Sequence, residues 1–285
     1  MTDTGTRAPD LVLPADHPGV DDPDYRSRRA EIARAGEAWR PGDPLPVIEY
    51  TDAEHDVWRT VTTELGRLHR DLACDAFRSG AGALDLPTDH VPQLHELDER
   101  LVELGGFRVI PVAGLVPART FYAQLADSTF MSTQYLRHTS VPFYTPEPDV
   151  LHEVVGHLNL IAQPDFAELH RLAGGASRRC ETDAAHEFFS RVFWFSLEFG
   201  VVREHGELRA YGAGLVSSFG EIQAVRDAEI RPFDLTAMGT LDYDISTYQP
   251  VLFAADGHGQ LVEELGDFLA SYDDEAFARL TAGRN

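Results

Sequence analysis

Apolar side chains recur at intervals of three and four residues in this chain, and this spacing limits the possible fold more than any other feature. The clearest stretch opens with Thr51 and Glu54, a capping-box pair that predicts the start of a long helix. The apolar stripe that follows consists of Trp58, Val61, Leu65, Leu68 and Leu72. Such a stripe covers one helix face and packs into a core. Because strand-like segments are short and few, we predict a mainly α fold with a few short β-strands.

Prolines and glycines divide the rest of the chain into further elements. Two short segments rich in β-branched residues, 107–112 and 129–133, are predicted strands. Residues 1–23 are predicted to form an N-terminal arm, disordered or laid over the surface, and residues 24–285 a single domain. The other predicted helices cover residues 24–39, 93–104, 118–126, 182–199, 260–272 and 275–280, with two more starting near Pro148 and Pro164.

The charge balance argues against one broad class of function. With 47 acidic residues against 24 basic ones, the formal net charge is −23, and every basic residue is an arginine. A surface of this sign opposes nucleic-acid binding. The cluster formed by Arg26, Arg28 and Arg29 is interpreted as a solvated helix face that pairs with acidic neighbours.

Membrane and disulfide features are missing from the sequence. No apolar run approaches the roughly 18 residues that a membrane-spanning helix needs, and the N-terminus lacks a signal-peptide pattern. We therefore predict a cytoplasmic protein without a membrane partner. Cys74 and Cys180 are too few for a disulfide framework and lie in no metal-ligand spacing, so both are predicted to be buried small residues.

Residues 137–157, R-H-T-S-V-P-F-Y-T-P-E-P-D-V-L-H-E-V-V-G-H, concentrate side chains with chemical roles. His152 and His157 are five positions apart, which places them about 140° apart on a regular α-helix. Both can still face one ion if His152 lies in a frayed first turn after the prolines. A lone histidine is usually structural, but two that flank Glu153 and a glycine predict a metal site at a helix start.

The H-E-V-V-G-H motif leaves two kinds of metalloenzyme open. Zinc peptidases place their histidines four apart, and the longer spacing here resembles the expanded motif of a rarer group like dipeptidyl peptidase of the third type. Non-haem iron(II) oxygenases instead use two histidines and one carboxylate and keep coordination positions open. Glu198 is the candidate carboxylate, because an unpaired charge in the run W-F-S-L-E-F-G would be costly. Trp194, four residues earlier, is expected on the same helix face.

Arg137 and Asp149 are a second charged pair in the same stretch. The planar guanidinium of Arg137 suits a carboxylate, so it could hold a substrate carboxylate while Asp149 orients it. A structural salt bridge across the proline-rich loop is an equally good interpretation.

Six blocks of sequence, in order along residues 14 to 270, resemble the catalytic domain of the pterin-dependent aromatic amino acid hydroxylases, most closely the branch that acts on position 4 of phenylalanine. The blocks are A-D-H-P-G (15–19), G-F-R-V-I-P-V-A-G-L (106–115), T-Q-Y-L-R-H (133–138), Y-T-P-E-P-D-V-L-H-E-V-V-G-H (144–157), W-F-S-L-E-F-G (194–200) and Y-G-A-G-L-V-S-S-F-G-E (211–221).

The resemblance implies a monooxygenase that hydroxylates the ring of L-phenylalanine to give L-tyrosine. It would use dioxygen, iron(II) and a tetrahydropterin, with the cofactors supplying the hard chemistry and the protein supplying position. Its implied partners are therefore small molecules. The implied iron ligands, which are also the catalytic residues, are His152, His157 and Glu198.

Further roles follow from the same resemblance. The amino acid carboxylate would be held by an arginine, a threonine and a serine, and the ring by a proline, a tryptophan and the ring of His152. The implied substrate positions are Arg137, Thr145, Pro146, Asp149, Trp194 and Ser217. The implied pterin positions are Gly114, Leu115, Phe121 and Glu153. Glu153 is then a pterin contact instead of a peptidase base.

Substrate choice rests on two positions of the resemblance. Trp194, where the tryptophan-specific branch has phenylalanine, favours phenylalanine, and Ile245, where the tyrosine-specific branch has an acidic residue, argues against tyrosine. Hydroxylation of tryptophan, or of another ring position of phenylalanine, stays open.

Three residues depart from the animal enzymes and bear on the pterin geometry. Met131 replaces a histidine, Ala118 a serine and Phe193 a tyrosine near the metal ligands. The regulatory domain and the long oligomerisation helix of animal enzymes have no counterpart in 285 residues, so we expect a monomer.

Overall fold

Helices form most of the structure and surround the segments that carry the candidate site. The computed structural model describes residues 13–15 and 17–282. The helices are α1 (Pro23–Ala38), α2 (Asp52–Leu72), α3 (Asp75–Leu84), α4 (Leu94–Leu104), α5 (Ala118–Leu125), α6 (Asn159–Ile161), α7 (Pro164–Arg179), α8 (Asp183–Phe193), α9 (Ala213–Ser217), α10 (Phe219–Ala224), α11 (Leu235–Thr240), α12 (His258–Ser271) and α13 (Asp274–Thr281). This confirms the mainly α prediction.

Two small sheets complete the described fold. Strands β1 (Arg108–Pro111) and β2 (Thr129–Ser132) pair in parallel, as two predicted strands would. A four-stranded sheet, in the order β4-β3-β6-β5, was not predicted. Its strands are β3 (Val201–Glu204), β4 (Glu207–Ala210), β5 (Glu229–Pro232) and β6 (Val251–Ala255). The β3–β4 pair is antiparallel, and the other two pairs are parallel.

Helix α2 forms for the reasons its sequence predicts. The Thr51 side chain accepts the Glu54 N–H, and the Glu54 side chain accepts the Thr51 N–H, so the capping box is complete. Its apolar stripe is buried at Trp58, Val61 and Leu65, in one core that spans both sheets and most helices. This core fixes the elements that carry the site.

Two segments of the chain are π-helical, and both had been predicted as ordinary helix. The first is His152–Leu158, between two helical residues, 150–151, and α6, and the second is Trp194–Glu198, at the end of α8. In the second, the Phe199 N–H donates to the Trp194 carbonyl across five residues, at 2.8 Å. Segments of this kind are rare and are frequently found at functional sites.

The prediction that Arg29 is solvated is wrong. Its guanidinium is 2% exposed, forms an ion pair with Glu147, and lies 3.7 Å from the centre of the Tyr135 ring. Arginine can be buried in this way because its flat cation both stacks on an aromatic face and pairs with a carboxylate. Helix α1 is thereby tied to the loop that precedes the first π-helical segment.

The N-terminal arm is described only in part. Residues 1–12 and 16 lie outside the described residues, as do residues 283–285. Within the predicted arm, Leu13 and His17 are buried against the domain. The division into an arm and a domain at residue 24, like the monomeric state, stays a prediction.

Two other sequence predictions can be compared with the structure. Cys74 and Cys180 are buried free thiols, as predicted. Within residues 13–15 and 17–282, no helix has both the length and the apolar character needed to cross a membrane.

Candidate metal and substrate site

Two imidazoles and one carboxylate converge inside the helical core. One potential ligand atom from each of His152, His157 and Glu198 lies within 4.8 Å of the others. Nε2 of His157 is 3.0 Å from Oε1 of Glu198, and Nε2 of His152 is 3.9 Å from Oε2. Within the described part of the chain, this is the one cluster of at least three such side chains with a metal-binding arrangement.

The π-helical segments explain how residues with this spacing meet. An i→i+5 hydrogen-bond pattern brings residues five apart close to one another along a helix face, so His152 and His157 need no frayed turn. The two rings lie edge to face, 5.0 Å apart. The predicted explanation of their geometry, a non-helical first turn at His152, is therefore wrong, although the two histidines do face one site.

The hydrogen bonds of Ser217 determine which nitrogen of His152 is available. The Ser217 hydroxyl donates to the Ala213 carbonyl at 2.7 Å, so its oxygen accepts a hydrogen bond from Nδ1 of His152 at 2.9 Å. Nδ1 then carries the proton, and Nε2 presents a lone pair toward Glu198. Metal-binding histidines are usually oriented by such a partner.

The charges of the cluster are strongly coupled. Burial alone would raise the pKa of Glu198, but His157, through its charge and hydrogen bond, lowers it to about 2. Burial would also lower the pKa of His157, yet Glu198 raises it above its usual value. Burial lowers the pKa of His152 to about 4, which keeps this ring neutral. Glu198 and His152 are thus in the protonation states that bind a metal cation, whereas His157, which must be neutral to bind, would release its proton on metal binding.

The donor set fits iron. Two imidazole nitrogens and one carboxylate oxygen on one side of an ion form the facial triad of non-haem iron(II) oxygenases, and other positions stay open. Only 14% of the Glu198 side chain and 2% of the His157 side chain are exposed. A largely desolvated carboxylate is costly without a cation, so the burial supports a metal-binding role.

Arg137 and Asp149 form a doubly hydrogen-bonded ion pair beside this cluster. Nε and Nη2 of Arg137 each lie 2.9 Å from a different oxygen of Asp149. Asp149 also accepts the N–H of His152 at 3.1 Å, so it caps the helical turn that leads into the first π-helical segment. Burial alone would raise the pKa of Asp149, but Arg137 lowers it. One carboxylate therefore links the candidate substrate clamp to the backbone of a candidate ligand.

Thr145 and Pro146 lie on the loop between Arg137 and Asp149, and both are half-buried. The Thr145 hydroxyl donates to the Glu147 carbonyl at 2.7 Å, within its own turn. The structure thus brings these predicted residues to the loop next to the ion pair, without a direct bond to it.

Aromatic rings pack against one another around the second π-helical segment, which ends at Glu198. Trp194 and Phe199 lie at the two ends of the second π-helical segment, with ring centres 4.4 Å apart. Tyr243 stacks on Trp194, with the ring centres 4.2 Å apart and the ring planes at 11° to each other. Tyr243 was not identified from the sequence, because it lies in an irregular loop, residues 241–250, where no periodic pattern marks a buried face. The expected role of Trp194 as a wall is consistent with this packing.

Two of the residues predicted to contact a pterin, Phe121 and Glu153, lie near His157. The ring of Phe121 lies 6.3 Å from the His157 ring, and burial raises the pKa of Glu153 to about 8. Gly114 and Leu115 lie in the loop after β1, where Leu115 is 68% exposed. Of the three departures, Phe193 is buried at the end of α8, Met131 is half-buried in β2 and Ala118 is exposed at the start of α5.

Another histidine that sequence inspection missed lies beside the cluster. His170 of α7 is fully buried, and its ring meets that of His157 edge to face at 5.9 Å. Its Nδ1 bonds to the Phe166 carbonyl at 2.7 Å. Burial lowers the pKa of His170 to about 4, so it adds no positive charge at neutral pH.

Comparison with known proteins agrees with this geometry. A family model described as biopterin-dependent aromatic amino acid hydroxylase matches residues 6–278. A phenylalanine 3-hydroxylase from Streptomyces coeruleorubidus is 48% identical over 94% of this chain and 96% of its own length. A phenylalanine-4-hydroxylase from Dictyostelium discoideum is 39% identical over 91% of this chain, which spans 60% of that protein.

The fold is shared with solved structures. Phenylalanine hydroxylase from Chromobacterium violaceum, in a crystal structure with iron(III) and oxidised 7,8-dihydrobiopterin, matches with a TM-score of 0.75 and 28% identity. The match covers 83% of this chain and 89% of that one. The chain belongs to the biopterin-dependent aromatic amino acid hydroxylases, and the predicted iron and pterin dependence is confirmed for its family. This membership leaves the zinc peptidase alternative without support.

Proposed function

We propose that this protein hydroxylates the aromatic ring of L-phenylalanine, with His152, His157 and Glu198 as the ligands of an iron(II) ion. The observation that carries the proposal is the convergence of these three side chains within 4.8 Å in a site with a buried arginine clamp on one side and stacked aromatic rings on another. The bound iron and a reduced pterin supply the activation of dioxygen. The protein residues bind, orient and desolvate the substrate.

Arg137 is proposed to bind the carboxylate of the amino acid. Its Nε and Nη2 are used by Asp149, while Nη1 makes only a long contact of 3.4 Å to the Pro142 carbonyl. Nη1 therefore has hydrogen-bonding capacity left for an anionic ligand. In the proposal Asp149 fixes the direction of the guanidinium, and Thr145 and Ser217 border the same site.

The ring of the substrate is proposed to lie between Pro146 and Trp194, against the ring of His152. Trp194 is half-buried and packed on both of its faces, by Phe199 and Tyr243, so its edge is the part that can meet a substrate ring. Edge-to-face contact between aromatic rings is a favourable arrangement. A well-packed wall also excludes water from the reacting ring.

Phe121 and Glu153, which lie near His157, are proposed to bind the pterin together with Gly114 and Leu115. Burial keeps a proton on Glu153 up to a pH of about 8, so this side chain can donate as well as accept a hydrogen bond. A pterin presents both donors and acceptors on its ring edge. This combination supports the proposed contact.

The proposed ring position is position 3, with position 4 as the alternative. The support is the relative named phenylalanine 3-hydroxylase, whose identity of 48% over nearly the full length of both chains exceeds the 39% of the 4-hydroxylase. Tyrosine is disfavoured as substrate because Ile245 stands where, by the resemblance, the tyrosine-specific branch has an acidic residue. Tryptophan is disfavoured because the large Trp194 occupies space beside the metal ligands.

One reconstitution experiment tests the whole proposal. Protein loaded anaerobically with iron(II) is mixed with tetrahydrobiopterin and phenylalanine, tyrosine or tryptophan, and then with oxygen, and the products are identified by chromatography and mass spectrometry. We expect 3-hydroxyphenylalanine from phenylalanine. A main product of 4-hydroxyphenylalanine selects the alternative position, whereas turnover of only tyrosine or tryptophan overturns the substrate assignment.

The control for this experiment is Glu198→Ala. Loss of a residue that only hydrogen-bonds to a metal ligand typically lowers activity or metal affinity by roughly 10- to 100-fold. Because Glu198 is proposed as a ligand itself, its removal should lower activity by more than this. Full activity in this variant would contradict the ligand role of Glu198. The far-ultraviolet circular dichroism of the variant verifies that it folds.

A further inference from the structure

The indole of Trp194 is held by a side chain that sequence inspection did not single out. Its Nε1–H donates to Oε1 of Gln249 at 3.1 Å. Gln249 lies near the C-terminal end of the loop of residues 241–250 and is only 6% exposed. The N–H of a tryptophan that is packed in this way usually has a partner, and here that partner comes from a different part of the chain.

Every polar group of the Gln249 side chain is engaged, so its orientation is determined. Nε2 donates to the carbonyls of Asp244 and Thr247, at 2.9 and 3.2 Å. Because carbonyls only accept, the amide nitrogen must face them and Oε1 must face Trp194. Its backbone N–H donates to Oε1 of Glu221 at 2.8 Å, which ties the loop to α10.

The loop of residues 241–250 contains both buried and exposed side chains. Ile245 and Tyr248 are 73% and 57% exposed, whereas Gln249 is buried and Tyr243 stacks on Trp194. Tyr248 is also packed closely over Gly220, where an added Cβ would lie 1.9 Å from its hydroxyl oxygen. The loop is therefore fixed at three points, and two of them, Gln249 and Tyr243, contact the Trp194 ring.

We propose that Gln249 is a positioning residue that sets the in-plane orientation of the Trp194 ring and thereby selects which carbon of the substrate ring is hydroxylated. This inference rests on the proposed function, in which Trp194 borders the substrate ring. Stacking against Phe199 and Tyr243 confines the indole to a plane but leaves rotation within that plane. The hydrogen bond to Gln249 removes this remaining freedom, so the two contacts together define one position of the ring edge.

The first test compares Gln249→Met with the wild-type protein. Methionine keeps the length of the side chain but cannot accept a normal hydrogen bond from the indole. We expect the ratio of the major to the minor hydroxyphenylalanine isomer to fall about fivefold, which corresponds to one hydrogen bond of about 1 kcal/mol. Gln223→Met, at an exposed position of α10, is the matched control and should leave the ratio unchanged. An unchanged ratio in Gln249→Met overturns the proposal.

The second test asks whether Gln249 acts through Trp194. In a Trp194→Phe background, which lacks the indole N–H, Gln249→Met should cause no further change in the isomer ratio. An additional fivefold change in that background would show an independent effect and overturn the proposal. Replacing Trp194 by benzothienylalanine, in which sulfur takes the place of N–H, should reproduce the ratio of Gln249→Met without altering Gln249, so it also decides the question if the methionine variant folds poorly.

A third measurement needs neither metal nor substrate. The near-ultraviolet circular dichroism of the metal-free protein reports the packing of the tryptophans, and its indole band should weaken in Gln249→Met but not in Gln223→Met. If wild-type protein fails to hydroxylate phenylalanine, the proposed function falls, while this band still reports whether Gln249 fixes the ring. A band identical to wild type in Gln249→Met overturns the positioning role.

Discussion

Arg137 and Asp149 meet through two parallel hydrogen bonds of 2.9 Å, with both side chains almost completely removed from solvent. The structural salt bridge that the sequence allowed is present, and the binding of a substrate carboxylate by Arg137 stays a proposal. The salt bridge also fixes the guanidinium beside the candidate metal ligands. Because Asp149 also accepts the backbone N–H of His152, the pair connects stability to the geometry of the site.

Asp149→Ala should lower the free energy of unfolding by about 3–5 kcal/mol, because it leaves Arg137 charged and buried without a partner. Urea denaturation followed by circular dichroism measures the change. The matched control is Asp127→Ala, which removes an exposed ion pair with Arg178 and should cause a much smaller loss of stability. Equal losses in the two variants would contradict the importance of burial.

Ser217→Ala should weaken iron(II) binding by about 10- to 100-fold, because the hydrogen bond that keeps the proton on Nδ1 of His152 is lost. Anaerobic titration against a chromogenic chelator measures the affinity. Ser271 provides the control, since its hydroxyl also donates to the carbonyl four residues earlier but lies on the exposed face of α12. Ser271→Ala should bind iron as the wild type does, and a normal affinity in Ser217→Ala would refute the tautomer argument.

Gly156→Ala should disturb the candidate metal site although it replaces none of the three candidate metal ligands. A Cβ at this position would lie 2.8 Å from the Ala213 carbonyl oxygen, so α9 and its Ser217 must move away from His152. We expect a loss of about 1–3 kcal/mol in stability and weaker iron binding. Gly259→Ala, at an exposed helix position with no atom within 4 Å of the added group, should be neutral or slightly stabilising in thermal unfolding. Wild-type iron affinity in Gly156→Ala would contradict this reasoning.

Glu221 should make stability depend on pH. Burial raises the pKa of Glu221 to about 7, from a usual value of 4.5, so the folded state retains a proton that the unfolded state has lost. Its contribution to stability therefore falls as pH rises from about 4.5 to about 7 and is constant above that range. Glu221→Gln keeps an oxygen for the Gln249 N–H but does not ionise.

The stability of Glu221→Gln relative to wild type should accordingly increase between pH 5 and pH 8, as measured by urea denaturation at each pH. Glu99→Gln on the exposed face of α4 serves as the reference substitution. A difference between Glu221→Gln and wild type that does not vary with pH would mean that Glu221 titrates normally.

The sequence predicted the parts of the molecule that depend on local rules. The capping box at Thr51 and the apolar stripe of α2 formed as expected, because both depend on residues within one or two helical turns. The side chains of the candidate triad were also identified, by residue type and by resemblance to a family. Their convergence in the structure is consistent with that identification.

Other features depend on partners far away in the chain and were missed. Arg29 is buried because Tyr135 and Glu147 surround it, and no pattern within α1 reveals those partners. Strands β3 to β6 are four or five residues long, so any alternation of apolar and polar residues in them is too short to recognise. Their pairing partners lie as many as about fifty residues away in the sequence. Gln249 lies in an irregular loop, where periodicity gives no signal of burial.

The two π-helical segments make the length of the chain at the site as important as its composition. A substitution within His152–Leu158 leaves the i→i+5 register intact, whereas deletion of one residue between the histidines would favour an ordinary α-helical ladder with the histidines four apart, and so would change where His157 lies relative to Glu198. The same holds for Trp194–Glu198, where a deletion would change the position of Trp194 relative to the carboxylate of Glu198. Insertions and deletions in these two segments should therefore be far less tolerated than point changes between the functional side chains.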